Sequence, residues 1–261
     1  MKKLLLIALL IMGCVTEPED CGGVAGGTAI VDDCGVCGGD GSSCVTDIEG
    51  NTYATVQIGE QLWMTENLKV TNYREGTELP TGYTNSEWEN LATGAYTVYP
   101  TEGTFDDTTP QATCGDDCAD IYGNLYNWYA VGDSRGLCPD GWHVPSDDEW
   151  TILMDYLGGE SVAGGKIKEC TEGSCPESDY WNSPNIGATN ESGFTALPAG
   201  YRSYNGGHFF SIGTYSDFWS SSEFNSTKAW HREMYCDYSH VYRTYSHSKQ
   251  GGFSIRCLAD N

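Results

Sequence analysis

Cys138-Pro-Asp-Gly-Trp-His-Val-Pro-Ser146, running on as Asp147-Asp-Glu-Trp-Thr-Ile-Leu-Met-Asp-Tyr-Leu157, is the stretch that decides how this chain folds. Ser146 reads as a helix N-cap. Glu149, three residues on, completes a capping box, in which each side chain satisfies a backbone amide that the first turn leaves free. Asp147 and Asp148 suit the positive end of the helix dipole. Trp150, Leu153, Met154 and Leu157 recur at helical spacing, and Gly158 can close the helix. A second helix is expected over residues 122–131, where Leu125, Trp128 and Tyr129 share one side.

Outward from this helix the apolar pattern becomes one of short alternating runs. Tyr53-Ala-Thr-Val-Gln-Ile58 and Gln61-Leu-Trp-Met-Thr65 flank Gly59-Glu60, a two-residue hairpin turn. Beyond Gly193, the stretches Phe194-Thr-Ala-Leu197, Phe218-Trp-Ser-Ser221, 229–234 and 252–258 read as strands. Residues 70–120, rich in Thr, Gly, Asp and Glu, read as a long surface excursion, with Cys114 and Cys118 close enough to clip a loop. The expected fold class is α+β, in a single domain of roughly 200 residues with long loops.

The amino terminus has a different character. Lys2 and Lys3 precede an apolar run from Leu4 to Met12, too short to cross a bilayer as a helix, and then Gly13-Cys14. Residues 1–13 are expected to be a signal peptide. Leu10-Ile-Met-Gly-Cys14 resembles a bacterial lipobox, so Cys14 is the expected lipidation site and the cell envelope, facing outward, the expected location. The membrane is then a partner through the lipid anchor; an ordinary signal peptide with an incidental Cys14 is the simpler alternative.

Residues 14–45 form an expected stalk of Gly, Asp and Cys that cannot build a core. Asp20-Cys-Gly22 recurs as Asp33-Cys-Gly35. Cys21, Cys34, Cys37 and Cys44 could form two disulfides; a zinc ribbon around Cys34 and Cys37 is the alternative. Asp33 and Asp40 are weak calcium candidates, with a solvated stapled stalk as the simpler reading; no other cofactor is expected. Twelve cysteines suit an oxidising compartment. Setting Cys14 aside leaves an odd number, so at least one thiol is left over. With 13 Lys and Arg against 37 Asp and Glu, net −24, the chain lacks the basic face that a nucleic-acid partner needs.

Several motifs then coincide in order: Gln61-Leu-Trp-Met-Thr-Glu-Asn-Leu68, Tyr126-Asn-Trp-Tyr-Ala-Val131, the Cys138 to Ser146 stretch, Ala188-Thr-Asn-Glu-Ser-Gly-Phe194, Leu197-Pro-Ala-Gly-Tyr-Arg202, Phe218-Trp-Ser-Ser-Ser-Glu223 and Gly252-Phe-Ser-Ile-Arg-Cys257. From residue 46 to 261 the chain resembles the Fibrobacter succinogenes major paralogous domain family. That resemblance implies an exported protein, often a lipoprotein, with a C-type lectin-like fold of two small antiparallel sheets and two helices, related to the sulfatase-modifying, formylglycine-generating group. It implies a Cys138–Cys257 disulfide, a Cys170–Cys175 clip, Cys114 paired with Cys118, and Cys236 as the thiol left over. Trp142, Trp150, Trp219 and Phe253 are expected in the core.

For function, binding is weighed against chemistry. Residues 201–247 are loaded with Tyr, Ser, Asn, His, Phe and Trp, rigid rings and small hydrogen-bonding groups that suit adaptable contact surfaces. Tyr204, His208, Phe209, Phe210, Tyr215, Asp217, His231, Tyr238, His240, Tyr242, Tyr245 and His247 are the expected binding residues, for a glycan or protein ligand; burial of half of them inside the strands is the simpler reading. The surface between Phe209 and His247 has the composition that adenine-directed diversification of Asn codons leaves, although ordinary divergence of paralogues gives the same composition more simply. No enzyme activity is expected. The histidines show no i, i+4 metal pair; Glu191 and Glu223, with Asp217, could supply paired carboxylates for glycoside hydrolysis, but nothing fixes their separation; and no Glu-Pro-Asn or Gln-Pro-Asp triplet of calcium-dependent lectins occurs. A structural or adhesive surface component is the alternative from another class.

Overall fold

A computed structural model describes residues 18–31, 34, 37–39, 41, 43–100, 118–171 and 175–260. The expected leader, Cys14, Asp33, Asp40 and Cys114 lie outside them. In chain order come β1 (Cys44–Thr46), β2 (Thr52–Ile58), β3 (Gln61–Met64), α1 (Asn85–Trp88), β4 (Tyr96–Thr97), α2 (Cys118–Tyr122), β5 (Leu125–Tyr126) and α3 (Trp128–Val131). They are followed by β6 (Trp142–His143), α4 (Asp147–Tyr156), α5 (Glu160–Ile167), β7 (Tyr201–Arg202), β8 (Phe209–Phe210), β9 (Tyr215–Glu223), β10 (Ala229–Tyr235), β11 (Val241–Thr244) and β12 (Leu258–Ala259). The chain is mixed α and β, with few helices and several small antiparallel sheets. Among the described residues no helix is long and apolar enough to cross a membrane.

The largest sheet has the order β1-β2-β3-β12-β6, so the last strand inserts between strands from the first third and the middle of the chain. Its β2–β3 hairpin closes as expected: Gly59 takes φ +62° and Ile58 lies opposite Gln61. A second sheet runs β11-β10-β9, and β4-β5 and β7-β8 are two-stranded pairs. More sheets and helices are thus present than the two of each that were expected, because many strands are only two residues long and carry too little pattern to read.

α4 matches its sequence signature. Ser146 Oγ accepts from the Glu149 amide, the Glu149 carboxylate accepts from the Ser146 amide, and Trp150, Leu153 and Met154 are buried. The expected helix over 122–131 is instead three pieces, α2, β5 and α3. Gly123 takes φ +73° and ends the first, and the Asn127 side chain caps the third by accepting from the Ala130 amide. Phe194-Thr-Ala-Leu197 is not a strand; it makes one isolated parallel bridge, Lys168 to Ala196. Nor is 70–100 a surface excursion, since Val70, Tyr73, Leu79, Trp88, Ala95 and Tyr99 are all buried. These anchors are irregularly spaced, so the segment has no period to betray its burial.

Between the two larger sheets lie Trp63, Trp150, Phe194 and Phe218, with ring centroids 4.9 to 6.0 Å apart. Arg256 is fully buried among them. Its guanidinium donates to Asn67 Oδ1 and to the carbonyls of Met64, Phe194 and Thr195, and stacks 4.3 Å over the Phe194 ring. A buried cation is tolerable when its donors are satisfied in this way. Trp142, Trp219 and Phe253 are buried as expected.

Disulfides join Cys138 to Cys257 and Cys170 to Cys175, and in the stalk Cys21 to Cys37 and Cys34 to Cys44. Cys118 is disulfide-bonded, and Cys236 is free. The two stalk repeats each close an antiparallel bridge, Glu19 to Ala25 and Val31 to Cys37. Asp20 accepts from the amides of Gly22, Val24 and Ala29, so this repeat carboxylate organises backbone.

Candidate functional site

In the β11-β10-β9 sheet, alternation sends Trp230, Arg232 and Met234 to one face and His231, Glu233 and Tyr235 to the other. The first face meets α4 and α5: Met234 and Val241 join the core, and Arg232 and Arg243, paired in register, converge on Asp147 at the start of α4. On the other face Glu233 stands between Asp217 and Tyr242, His231 between Trp219 and Thr244, and Tyr235 opposite Tyr215.

The turn from β10 to β11, residues 236–240, is fixed through its main chain. Lys168, directly after α5, is fully buried, and its Nζ donates to the carbonyls of Ile186, Tyr235 and Tyr238 at 3.0, 3.1 and 2.9 Å. Burial holds its pKa down, to about 8. Gly165 donates to the Ser239 carbonyl, and a Cβ on Gly164 would come within 2.8 Å of the Ser239 and His240 carbonyl oxygens. The glycine pair in α5 is therefore what lets the turn lie against the helix. Two rings that the turn and β11 display stand exposed, Tyr238 by 49 % and Tyr242 by 37 %. With Tyr235 they form a cluster of mutually perpendicular rings, centroids 5.8 to 6.4 Å apart, and His240 lies 4.3 Å from Tyr242.

A second exposed aromatic group sits at the other end of the sheet. Tyr245 stacks on Phe224 at 3.6 Å, Trp230 stands edge-on to both, and Arg243 covers the Trp230 ring at 3.7 Å. Phe224 and Trp230 were not among the expected binding residues. The signal was present: Phe224 closes the Phe218 strand, and Trp230 opens the next.

The twelve expected binding residues divide by strand geometry. Tyr204, Tyr238, Tyr242 and Tyr245 are exposed, and His208, Phe210, His240 and His247 are half-buried. Tyr201 joins several of them, stacking on Phe210 and meeting His247, which in turn meets Tyr204. His208 contacts the Asn85 amide nitrogen. Phe209, Tyr215, Asp217 and His231 are buried and cannot form a rim, which corrects that expectation. Phe209 packs on Tyr99, whereas the other three lie on the β9–β10 face beneath neighbouring rings, His231 against His247 and Phe253.

Beneath these rings is a polar floor. His231 Nε2 lies 3.2 Å from Glu233 Oε1 and 3.8 Å from Asp217 Oδ1; the Asp217 side chain is fully buried and that of Glu233 mostly so. Burial, and then the charge of Glu233, hold Asp217 well above the usual carboxylate range. Glu233 is held below its usual value: burial opposes this, and the hydrogen bond from His231 leads the groups that outweigh it. Burial also pushes Tyr235 up to about 12. Glu233 escaped sequence reading, although His231-x-Glu233 in a strand must share one face.

The carboxylates weighed for glycoside hydrolysis do not assemble. Glu191 pairs with Lys166, Glu223 pairs with Lys249, and Asp217 stands six residues from Glu223 along β9, about 20 Å at strand rise. That exceeds the spacing that either hydrolytic geometry uses. The free thiol of Cys236 is pushed up by burial and not activated as a nucleophile.

No curated protein and no solved structure matches the chain. The Fibrobacter succinogenes major domain matches residues 56–259, which takes in the β11-β10-β9 sheet with its aromatic face and all of the larger sheet except β1 and the start of β2. The chain therefore belongs to the Fibrobacter succinogenes major domain family.

Proposed function

We propose that this chain is a surface-anchored lipoprotein whose β9–β10–β11 sheet displays an aromatic face for a glycan or protein ligand, with no chemistry of its own. One observation carries the reading. The turn bearing Tyr238 and His240 is held by Lys168 and by main-chain bonds, while Tyr238 and the neighbouring Tyr242 stand exposed. Rigid backbone under exposed rings lowers the ordering cost of binding and leaves ring identity open to change. The same division would suit a diversified binding protein.

The C-type lectin-like fold and the tie to the sulfatase-modifying group belong to this proposal. Supporting them are the Cys138–Cys257 link between the segment before α4 and the end of the chain, and the insertion of β12 between β3 and β6. The lipid on Cys14 is tested by mass spectrometry of the membrane fraction: an acylated terminus is expected, and a Cys14→Ser variant that stays on the membrane would refute the anchor. The ligand is tested by a glycan array run beside a whole-cell pulldown. Binding to defined sugars or a surface protein supports recognition; cell association without any discrete ligand favours an adhesive coat instead.

A further inference from the structure

The polar floor beneath the aromatic face poses a problem of proton accounting. His231 is fully buried, and its Nδ1 lies 3.4 Å from the Ala229 carbonyl, a group that can only accept. Nε2 lies 3.2 Å from Glu233 Oε1 and 3.8 Å from Asp217 Oδ1: it donates to Glu233 or, with the ring proton on Nδ1, turns a lone pair toward both carboxylates. In that second tautomer three electron pairs converge on one point.

His247 closes the group from the segment after β11. One ligand atom from each of His231, Glu233 and His247 lies within 4.8 Å of the others, and the two imidazoles meet at 5.5 Å. Two further observations are independent of this clustering. Both oxygens of Asp217, a fully buried side chain, lack a hydrogen-bond partner, and so does the buried Nδ1 of His247. Groups of this kind in a folded interior ask for an explanation.

We propose that Asp217, His231, Glu233 and His247 form a binding site for a zinc-class divalent cation. Two imidazole nitrogens and two carboxylate oxygens suit zinc, whereas calcium prefers oxygen alone. In a tetrahedral site with bonds near 2.0–2.1 Å the ligand atoms stand about 3.4 Å apart, so His231, Glu233 and His247, within 4.8 Å of one another, close by a modest contraction, and Asp217, 3.8 Å from His231 but outside that group, swings in as the fourth ligand. The surrounding shell is of the kind that metal ligands require: Ala229 O orients His231, and Ser246 Oγ and Tyr235 OH donate to the two oxygens of Glu233 at 3.1 and 3.4 Å. Four ligands at a buried position make a closed, structural site. The cation pins the segment carrying Tyr245 and His247 onto β9 and β10, a staple within a stretch whose one cysteine, Cys236, is free. This inference does not depend on what the aromatic face binds.

The test uses the full oxidised chain, stripped with a chelator and titrated with Zn²⁺ alone, with metal content read by mass spectrometry and affinity by competition with a chromogenic chelator. The expected result is one equivalent of zinc per chain, a raised melting temperature, and affinity at least tenfold weaker in His247→Gln and in Asp217→Asn. Cys236→Ser and His240→Gln, which remove other zinc-binding side chains, should retain the equivalent. Co²⁺ added to the wild-type chain should give the intense visible absorption of a tetrahedral complex, a readout that needs no variant to fold. Weak cobalt bands, no zinc equivalent, or equal binding in His247→Gln and wild type would overturn the proposal.

Discussion

Asp147 Oδ1 accepts from Arg232 Nη1 at 2.6 Å, joining the first turn of α4 to the middle strand of the aromatic sheet. Arg243, from the edge strand, donates to both oxygens of the same carboxylate at 2.6 to 3.1 Å. Asp147 is thus at once a helix-dipole partner and the anchor of two strands. Removing one member of a buried ion pair leaves the others uncompensated, at a cost of about 3–5 kcal/mol. Asp147→Asn should lower stability by that amount in urea unfolding, and a loss below 1 kcal/mol would show that the anchor is dispensable.

The same carboxylate sets an acid limit. Burial raises its pKa, but the hydrogen bonds from Arg243 and Arg232 outweigh that, so the folded value lies below the ordinary 3.8. A depressed carboxylate gives stability that is fully present above the unfolded pKa and is lost as pH falls through the folded one. Stability should therefore fall below about pH 4, and the fall should be shallower in Asp147→Asn. Urea midpoints measured from pH 5 to pH 2 on both proteins check this; parallel curves would contradict it.

Cys138 and Cys257 are separated by 119 residues, whereas Cys170 and Cys175 are separated by 5. Closure of the long loop constrains the unfolded chain far more, so a Cys138→Ala/Cys257→Ala variant should lose about 2–5 kcal/mol and the short-loop pair less. Non-reducing peptide maps should recover both cross-links, and thermal melts of the two double variants should rank in that order.

Lys168 satisfies three carbonyls at the β10–β11 turn with one ammonium group. Lys168→Met buries them without donors, at about 1–3 kcal/mol for each unsatisfied group. Faster amide hydrogen exchange is expected at residues 235–240 before the rest of the sheet loosens. Exchange unchanged at the turn would mean that the glycine contacts of α5 hold it alone.

The sequence made α4, its capping box, the β2–β3 hairpin and the buried tryptophans legible, because each depends on a local period or a local cap. The three-way split of 122–131 was not, since Gly123 and Asn127 act only through the conformation they adopt. Long-range partnerships were invisible as well. Nothing near Lys168 announces carbonyls from 186, 235 and 238, and nothing in Arg256 announces that it will lie under Phe194. The candidate site was half legible. Composition located the tyrosine-rich surface, but it could not sort exposed Tyr238 and Tyr242 from buried Tyr215, or place Asp217 beside His231; that needs the register between β9 and β10.

The central claim is that exposed rings on a fixed turn recognise a ligand, and a Tyr238→Ala/Tyr242→Ala variant tests it most directly. Each ring is exposed and outside the core, so the melting temperature should stay within the range of ordinary surface substitutions, about ±0.5 kcal/mol in stability. Binding to the glycan or cell-surface protein captured by the wild type should weaken at least tenfold, about 1.4 kcal/mol or more. Undiminished binding by a stably folded double variant would contradict the account.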